Sequence, residues 1–184
     1  MEDLSLYILD IVQNSINASA SLIEIHVQED IENNKLILSI IDNGKGMAPQ
    51  TVGKATDPFY TTRTTRKVGL GLSLLDAAAK ASGGGVTVSS ELGAGTGVRA
   101  EFEYNNIDRP PLGKIDDTIT VLVACNPSID FIYTHTTPKG SFTFDTREVR
   151  QKIGDLPIDY PDVINWIGGY IREGLNVICG GGSV

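Results

Sequence analysis

The sequence predicts a chain of the α/β (α+β) class, and three observations carry that expectation. Leu4 to Ala18 and Leu70 to Ala81 place apolar residues at helical spacing. Several shorter stretches alternate apolar and polar residues, as half-buried strands do. The strands come in neighbouring pairs joined by short polar or Gly-rich turns, which is the order of hairpins rather than of a wholly parallel sheet.

The first helix sets Leu4, Ile8, Ile11, Val12 and Ile16 on one face, with Asp3 available as its N-cap. Leu22 to Gln28 then reads as a half-buried strand and Lys35 to Ile41 as a more apolar one, joined through the polar Glu29 to Asn34 stretch. That strand stops at Asp42-Asn43-Gly44. From Gly44 to Val68 periodicity fails, which predicts a loop of about 25 residues with a short helix near Gln50 to Lys54; loops this long in a compact domain usually bind or cover something. The helical run Leu70 to Ala81 ends at Ser82-Gly83-Gly84-Gly85, and strands follow at Val86 to Ser90 and Val98 to Tyr104.

Asn105 to Lys114 holds Arg109-Pro110-Pro111, and paired prolines continue neither a helix nor a central strand. It divides the chain into residues 1–105 and a small α+β extension, 115–184. In the extension the sequence predicts strands at Thr118 to Ala124, Ile129 to Thr134 and Ser141 to Phe144. It then predicts helices capped by Asp145 (through Lys152) and by Asp162 (through Glu173), and a last strand at Leu175 to Cys179.

With 184 residues, 41% hydrophobic and 21% charged, the chain can bury a real core and is neither disordered nor collagen-like. Its net charge of -8 argues against general affinity for nucleic acid or an anionic membrane. There is no apolar run long enough for a membrane span and no signal-peptide pattern, so a cytoplasmic location is expected. Cys125 and Cys179 fit reduced thiols better than a metal pair or a disulfide scaffold.

Four clusters carry chemistry. On the first helix Asp10, Asn14 and Asn17 fall at i, i+4 and i+7 and stack a carboxylate and two amides on one stripe. An ordinary solvated face would use better helix formers, whereas an oxygen-rich stripe beside phosphates suits Mg²⁺. Asp42 ends an apolar strand beside Gly44 and Gly46, where its carboxylate could accept from the exocyclic amine of a base or simply shape a turn. Gly69-Leu70-Gly71-Leu72-Ser73 opens the second helix, so free N–H groups and the helix dipole favour a phosphate there. Just upstream, Thr61-Thr62-Arg63-Thr64-Thr65-Arg66-Lys67 gathers three cations and four hydroxyls, a dress for polyphosphate or a solvated charge run.

Order adds what no single cluster gives. Asp10 to Ala18, Asp42 to Met47, Asp57-Pro58-Phe59-Tyr60-Thr61-Thr62, Gly69 to Ser73 and Gly95-Thr96-Gly97 resemble, in order and spacing over about residues 4 to 104, the GHKL superfamily of DNA gyrase, the heat-shock chaperone of that class, histidine kinases and MutL. The resemblance implies a Bergerat-type two-layer sandwich: a mixed, mostly antiparallel sheet, helices on one face, and ATP between helices and a lid. It implies that Asn14 ligates Mg²⁺ and that Asp10 orients or deprotonates the nucleophile attacking the γ-phosphate. Asp42 would take the adenine amine, with Gly44, Gly46 and Met47 beside the base and Thr96 adding a second adenine-side hydrogen bond. Asn17 completes the stripe, Gly69, Leu70, Gly71 and Leu72 would wrap the phosphates, Phe59 would anchor the lid, and Thr61, Thr62, Arg63 and Lys67 would lie along the nucleotide.

Two departures shape the functional expectation. The hydrolytic members and serine kinases usually carry Glu where this chain has Asp10. No His precedes Asp10, so autophosphorylation on histidine is disfavoured; His26 and His135 are expected to be ordinary histidines. The strands that usually precede the first helix in the family's kinases are missing, and the tail strands are expected to extend the sheet in their place or to build an adjacent unit. The resemblance is closest to stand-alone histidine kinase-like proteins and anti-sigma-factor serine kinases. It implies a cytoplasmic Mg-ATP-binding regulatory protein that transfers the γ-phosphate to a protein partner, with a slow ATPase or nucleotide-gated interaction switch as the alternative. Its partners are then ATP, ADP and an unidentified protein, not nucleic acid or membrane.

Overall fold

The structure, a computed structural model, describes residues 3–53, 55 and 70–179. The opening helix α1 spans Leu4–Asn17, and the Asp3 side chain accepts from the Leu6 N–H at its start, as expected. Strands β1 (Leu22–Asp30) and β2 (Lys35–Asp42) form the first hairpin, followed by a single turn of helix, α2 (Pro49–Val52). Helix α3 is Leu70–Ala81, and a second hairpin pairs β3 (Gly85–Glu91) with β4 (Gly95–Glu103).

The 115–179 region departs from the sequence reading at two places. Thr118 to Ala124 is not a strand but lies in helix α4, Ile115–Cys125. Its β-branched residues favour a strand locally, yet Ile115, Thr118, Ile119, Leu122 and Val123 are buried at helical period, and tertiary packing overrides the propensity. Strands β5 (Asp130–Thr137) and β6 (Gly140–Asp145) and helix α5 (Thr146–Ile153, capped by Asp145) are where the sequence puts them. Leu175 to Cys179 is not a strand either. One helix, α6, runs Pro161–Cys179, opening on a proline with Asp162 inside its first turn rather than capping it. Gly174 does not stop this helix; a Cβ there would lie 2.1 Å from the Phe142 ring, so its missing side chain makes room for that ring.

The six strands form one sheet in the order β3-β4-β2-β1-β5-β6. Four pairings are antiparallel, and the one between β1 and β5 is parallel, with Ile23 opposite Phe131 and Ile25 opposite Tyr133. The strand beginning at residue 130 thus extends the sheet of the N-terminal half instead of building a detached unit. Strands β4 and β5 run the same way, so their connection must cross the sheet, and α4 makes that crossing.

Helices α3, α1, α4 and α6 lie side by side over one face, each touching the next. Beneath them Ile23, Ile25, Val27, Leu36, Leu38, Ile40, Val98, Ala100, Phe102, Phe131, Tyr133 and Phe144 make one continuous core with Ile8, Val12, Leu75, Ile119, Ile167 and Ile171. The opposite face carries Glu24, His26, Ser39, Arg99 and Thr134, half-buried or exposed, giving two layers in all. Among the described residues, no helix is long and apolar enough to cross a membrane.

The proline segment folds back onto α1: the carbonyls of Pro111 and Leu112 accept from Leu4 N (2.8 Å) and Ser5 N (3.1 Å), donors that a helix start leaves unpaired. Arg109 lies over the Tyr104 ring at 5.0 Å and donates to the Tyr104 carbonyl at 2.7 Å. A partly buried network joins β1, β5 and the residue that follows β4 at this point. His135, expected to be an ordinary histidine, is 1% exposed and pairs through Nε2 with Glu29 Oε1 (2.8 Å) and through Nδ1 with the Tyr133 hydroxyl (2.9 Å). The Tyr104 hydroxyl donates to Glu29 Oε2 at 3.0 Å. His26 is the half-buried residue expected and sits 3.3 Å from Glu24. Both cysteines are free.

After β2 the chain threads beneath the β3–β4 turn. Gly46 has φ +66°, and a Cβ there would lie 1.8 Å from the Glu91 carbonyl oxygen, while Gly93 N donates to the Lys45 carbonyl at 2.8 Å. Gly46→Ala combines a left-handed backbone with a collision against backbone, so a loss of at least about 2 kcal/mol is expected, read as a fall of roughly 5 °C or more in Tm. An unchanged Tm would contradict the close approach.

The hydrogen bond from His135, aided by His135 charge, Tyr104 and Arg109 against the opposing push of burial, holds the Glu29 carboxyl below its ordinary value of 4.5. A depressed carboxyl contributes stability that is fully present above its unfolded value and is lost as pH falls through its folded value. Thermal melts from pH 7 down to about pH 3 are therefore expected to show a steeper acid loss for the wild type than for Glu29→Gln. Parallel curves would remove Glu29 from the acid limb.

Candidate functional site

The site begins where β2 ends. Asp42 is 8% exposed, and a buried carboxylate needs donors. It has two: Ser15 Oγ from α1 donates to Oδ2 at 2.6 Å, and the Gly44 N–H donates to Oδ1 at 2.9 Å. Asn43 fixes the loop behind it, its Oδ1 accepting from Ser21 N (2.9 Å) and Leu22 N (3.0 Å) while its amide donates to Ser21 Oγ (2.9 Å). Lys45 N donates to the Ala18 carbonyl at 2.9 Å, so the Asp42 to Met47 segment is tied to the end of α1.

Across the sheet Asp42 is registered with Thr96 on β4, and Thr96 with Ser90 on β3. These three polar side chains therefore form a row on one face of three adjacent strands. Ser90 Oγ accepts from Met47 N (2.8 Å), donates to the Gly95 carbonyl (2.8 Å) and meets Thr96 Oγ1 at 2.9 Å. Sequence reasoning passed over both Ser15 and Ser90. The signal available was position: each lies one step of helix or sheet register from a residue already singled out.

The other end of the site lies between α1 and α3. Asp10, Asn14 and Asn17 are all exposed and share the stripe predicted from their spacing, with Gln13 Nε2 donating to Asn17 Oδ1 at 3.4 Å. Gly71, in the first turn of α3, faces Asp10: a Cβ on Gly71 would lie 3.0 Å from Asp10 Cβ and 3.1 Å from Asp10 Oδ2. The glycine lets the start of α3 approach the Asp10 carboxylate closely. Leu72 packs against the core, which sets the roll of α3. Asp76, on the same helix, accepts from Val86 N (3.3 Å) and Lys80 Nζ (2.6 Å) and pins α3 to β3.

The structure thus brings together two groups of the residues chosen from the sequence: Asp10 with Gly71 across the helix pair, and Asp42, Gly44, Gly46, Met47 and Thr96 around the ends of β2 and β4. Gly44 and Gly46 are packed against this chain's own backbone, a constraint the sequence reading did not anticipate. Phe59, Thr61, Thr62, Arg63, Lys67 and Gly69 lie outside the described residues, as does the Leu70 side chain.

This arrangement suits a nucleotide chemically. Fixed acceptors stand at the end of β2, the groups that an amine of a base would donate to. Carboxylate and amide oxygens stand at the other end, beside the first turn of a helix whose N–H groups favour phosphate. Asp10 and Ser15, which reach the two ends, are five residues apart on α1, about 7.5 Å along its axis.

Comparison with known proteins identifies the family and the fold. The family described as Histidine kinase-, DNA gyrase B-, and HSP90-like ATPase matches residues 2–106. A putative sensor protein of Shewanella frigidimarina is 39% identical over 101 residues, 52% of this chain and 15% of its own length. The sensor protein kinase FleS of Pseudomonas aeruginosa is 38% identical over 58 residues, 32% of this chain and 14% of its own. The chain thus spans only a small part of these relatives. Among solved structures, the N-terminal domain of a DNA repair protein aligns with a TM-score of 0.53 at 21% identity, covering 79% of this chain and 52% of the other. The Aquifex aeolicus MutL ATPase domain, solved with ADP, aligns at 0.51 and 15% identity, covering 83% of this chain and 68% of its own. Likeness at those identities speaks for the fold, and it reaches beyond the matched residues into the C-terminal half. With more than half of its length matched, the chain belongs to the histidine kinase-, DNA gyrase B- and HSP90-like ATPase family.

Proposed function

We propose that this chain binds Mg-ATP and passes the γ-phosphate to a protein partner in a regulatory role. The observation that carries the proposal is the placing of Asp42 and Asp10 at the two ends of one helix-lined site: a buried, doubly held acceptor beside Thr96, and an exposed carboxylate against the first turn of α3. Residues 1–105 form the nucleotide-binding unit in this reading, and 115–184 are its extension.

In this reading Asp42 and Thr96 receive the adenine edge, and the N-terminal N–H groups of α3 receive phosphate oxygens. Asn14 offers its amide oxygen to Mg²⁺, which when bound neutralises phosphate charge. Asp10 takes the proton of a partner's hydroxyl or imidazole as that group bonds to the γ-phosphorus and the bond to the ADP oxygen breaks. Phe59, Thr61, Thr62, Arg63, Lys67 and Gly69 would close the site over the phosphates. The sensor kinases among the relatives support transfer to a protein rather than to water.

Purified protein incubated with γ-labelled ATP, Mg²⁺ and an extract of the source cell is expected to label a discrete protein, with the label lost in Asn14→Ala. Asp10→Asn should keep ATP affinity within about threefold while slowing transfer by about a hundredfold or more, the usual worth of a positioned base. Free phosphate as the sole labelled product would make the protein an ATPase instead. Unaltered transfer in Asp10→Asn would take Asp10 out of the reaction.

A further inference from the structure

The row Ser90, Thr96, Asp42 constrains the direction of its hydrogen bonds. A serine hydroxyl has one proton to give and lone pairs to accept with. The Gly95 carbonyl, 2.8 Å from Ser90 Oγ, can only accept, so the Ser90 proton goes there. Met47 N–H can only donate, and it occupies one Ser90 lone pair at 2.8 Å. What remains for the 2.9 Å contact with Thr96 Oγ1 is the second lone pair, so Thr96 must be the donor in it.

The Thr96 proton is thereby committed toward Ser90, and its oxygen presents only lone pairs to the space beside Asp42. Asp42 is an acceptor as well, its two oxygens held by the Ser15 hydroxyl and the Gly44 N–H. Two acceptors therefore stand next to each other at the ends of β2 and β4, in register. An amino group, with two N–H donors, complements that pair. A carbonyl in the same place would set acceptor against acceptor.

We infer that Ser90 is a specificity-determining positioning residue: by fixing the Thr96 hydroxyl as an acceptor beside Asp42, it makes the site take 6-aminopurine nucleotides and turn away 6-oxopurine ones. The inference rests on the adenine-nucleotide reading above and adds to it the group that sets the polarity of the base-facing pair. Ser90 acts through Thr96 and has no contact with the base itself. Its loss frees the Thr96 hydroxyl to rotate and donate, which a 6-oxo group would accept.

The test is isothermal titration calorimetry of the full chain with Mg²⁺ and either ADP or inosine 5′-diphosphate, which differ in the amino or oxo group at position 6. The wild type is expected to favour ADP. Ser90→Ala should narrow that preference by about tenfold, because a hydrogen-bonding site discriminates only while its polar groups are fixed. Ser90→Thr, which keeps the hydroxyl, should preserve the preference. Thr96→Val should narrow it as Ser90→Ala does, and the double variant should narrow it no further than either single one. Should Ser90→Ala fail to fold, Ser90→Cys takes its place, since a thiol is a weak acceptor of similar size.

A preference ratio within about twofold of wild type in Ser90→Ala, or in Ser90→Cys where that replaces it, would overturn the inference and leave Ser90 a strut of the β3–β4 turn, as would a Thr96→Val protein with unchanged preference. A wild type that binds neither diphosphate would overturn the nucleotide reading itself, and this inference with it.

Discussion

A carboxylate buried at the end of a central strand must be met by hydrogen-bond donors, and Asp42 imposes that demand on everything near it. The Ser15 hydroxyl answers it from α1 and the Gly44 N–H from the following loop. Meeting the demand through Ser15 turns α1 so that Ile8, Ile11 and Val12 enter the core and Asp10, Asn14 and Asn17 face outward. Meeting it through Gly44 bends the chain back onto Ala18 and under the β3–β4 turn, where Gly46 alone fits. The candidate site and the fold are therefore joined by the same few contacts.

The C-terminal half completes this frame. Strand β5 covers the edge that β1 would otherwise expose, and α4 and α6 continue the helix layer over it. The join is reinforced away from the candidate site by the partly buried Glu29, His135, Tyr133 and Tyr104 network and by the Pro111 and Leu112 carbonyls at the head of α1. Burial pushes the Tyr133 hydroxyl well above its ordinary range, so it stays protonated as a hydrogen-bonding member of that network. A helix that carries Asp10, Asn14 and Ser15 is thus held at its start by the proline segment, at its flank by α4 and at its end by the Asp42 loop.

Much of the N-terminal half was legible in the sequence because local signals and tertiary packing agree there. Asp3 caps, the apolar stripe of α1 is periodic, β1 alternates over Leu22 to Val27, and β2 is an apolar run. Where they disagree, reading failed. Thr118 to Ala124 is rich in β-branched residues, and only the burial of Ile115, Thr118, Ile119, Leu122 and Val123 against neighbouring elements makes it a helix. The Asp116 and Asp117 pair in its first turn was the overlooked sign of a helix start. The predicted break after Glu173 is absent: α6 continues through Gly174, and nothing in the sequence shows the Phe142 ring that lies against that glycine. For the candidate site, motif order singled out Asp10, Asp42, Gly71 and Thr96, and the structure places Asp10 against Gly71 and Asp42 in register with Thr96. Ser15 and Ser90 stayed hidden because their importance lies in cross-strand and helix-to-sheet partners.

The central claim is that this site holds an adenine nucleotide with its base at Asp42 and its phosphates at the start of α3. A crystal structure of the protein grown with ADP and Mg²⁺ tests it most directly. The account predicts the 6-amino nitrogen within about 3 Å of an Asp42 carboxylate oxygen and the diphosphate against the first turn of α3, beside Asp10 and Asn14. Nucleotide bound on the open face of the sheet or within the C-terminal half, with Asp42 still engaged only by Ser15 and Gly44, would contradict it.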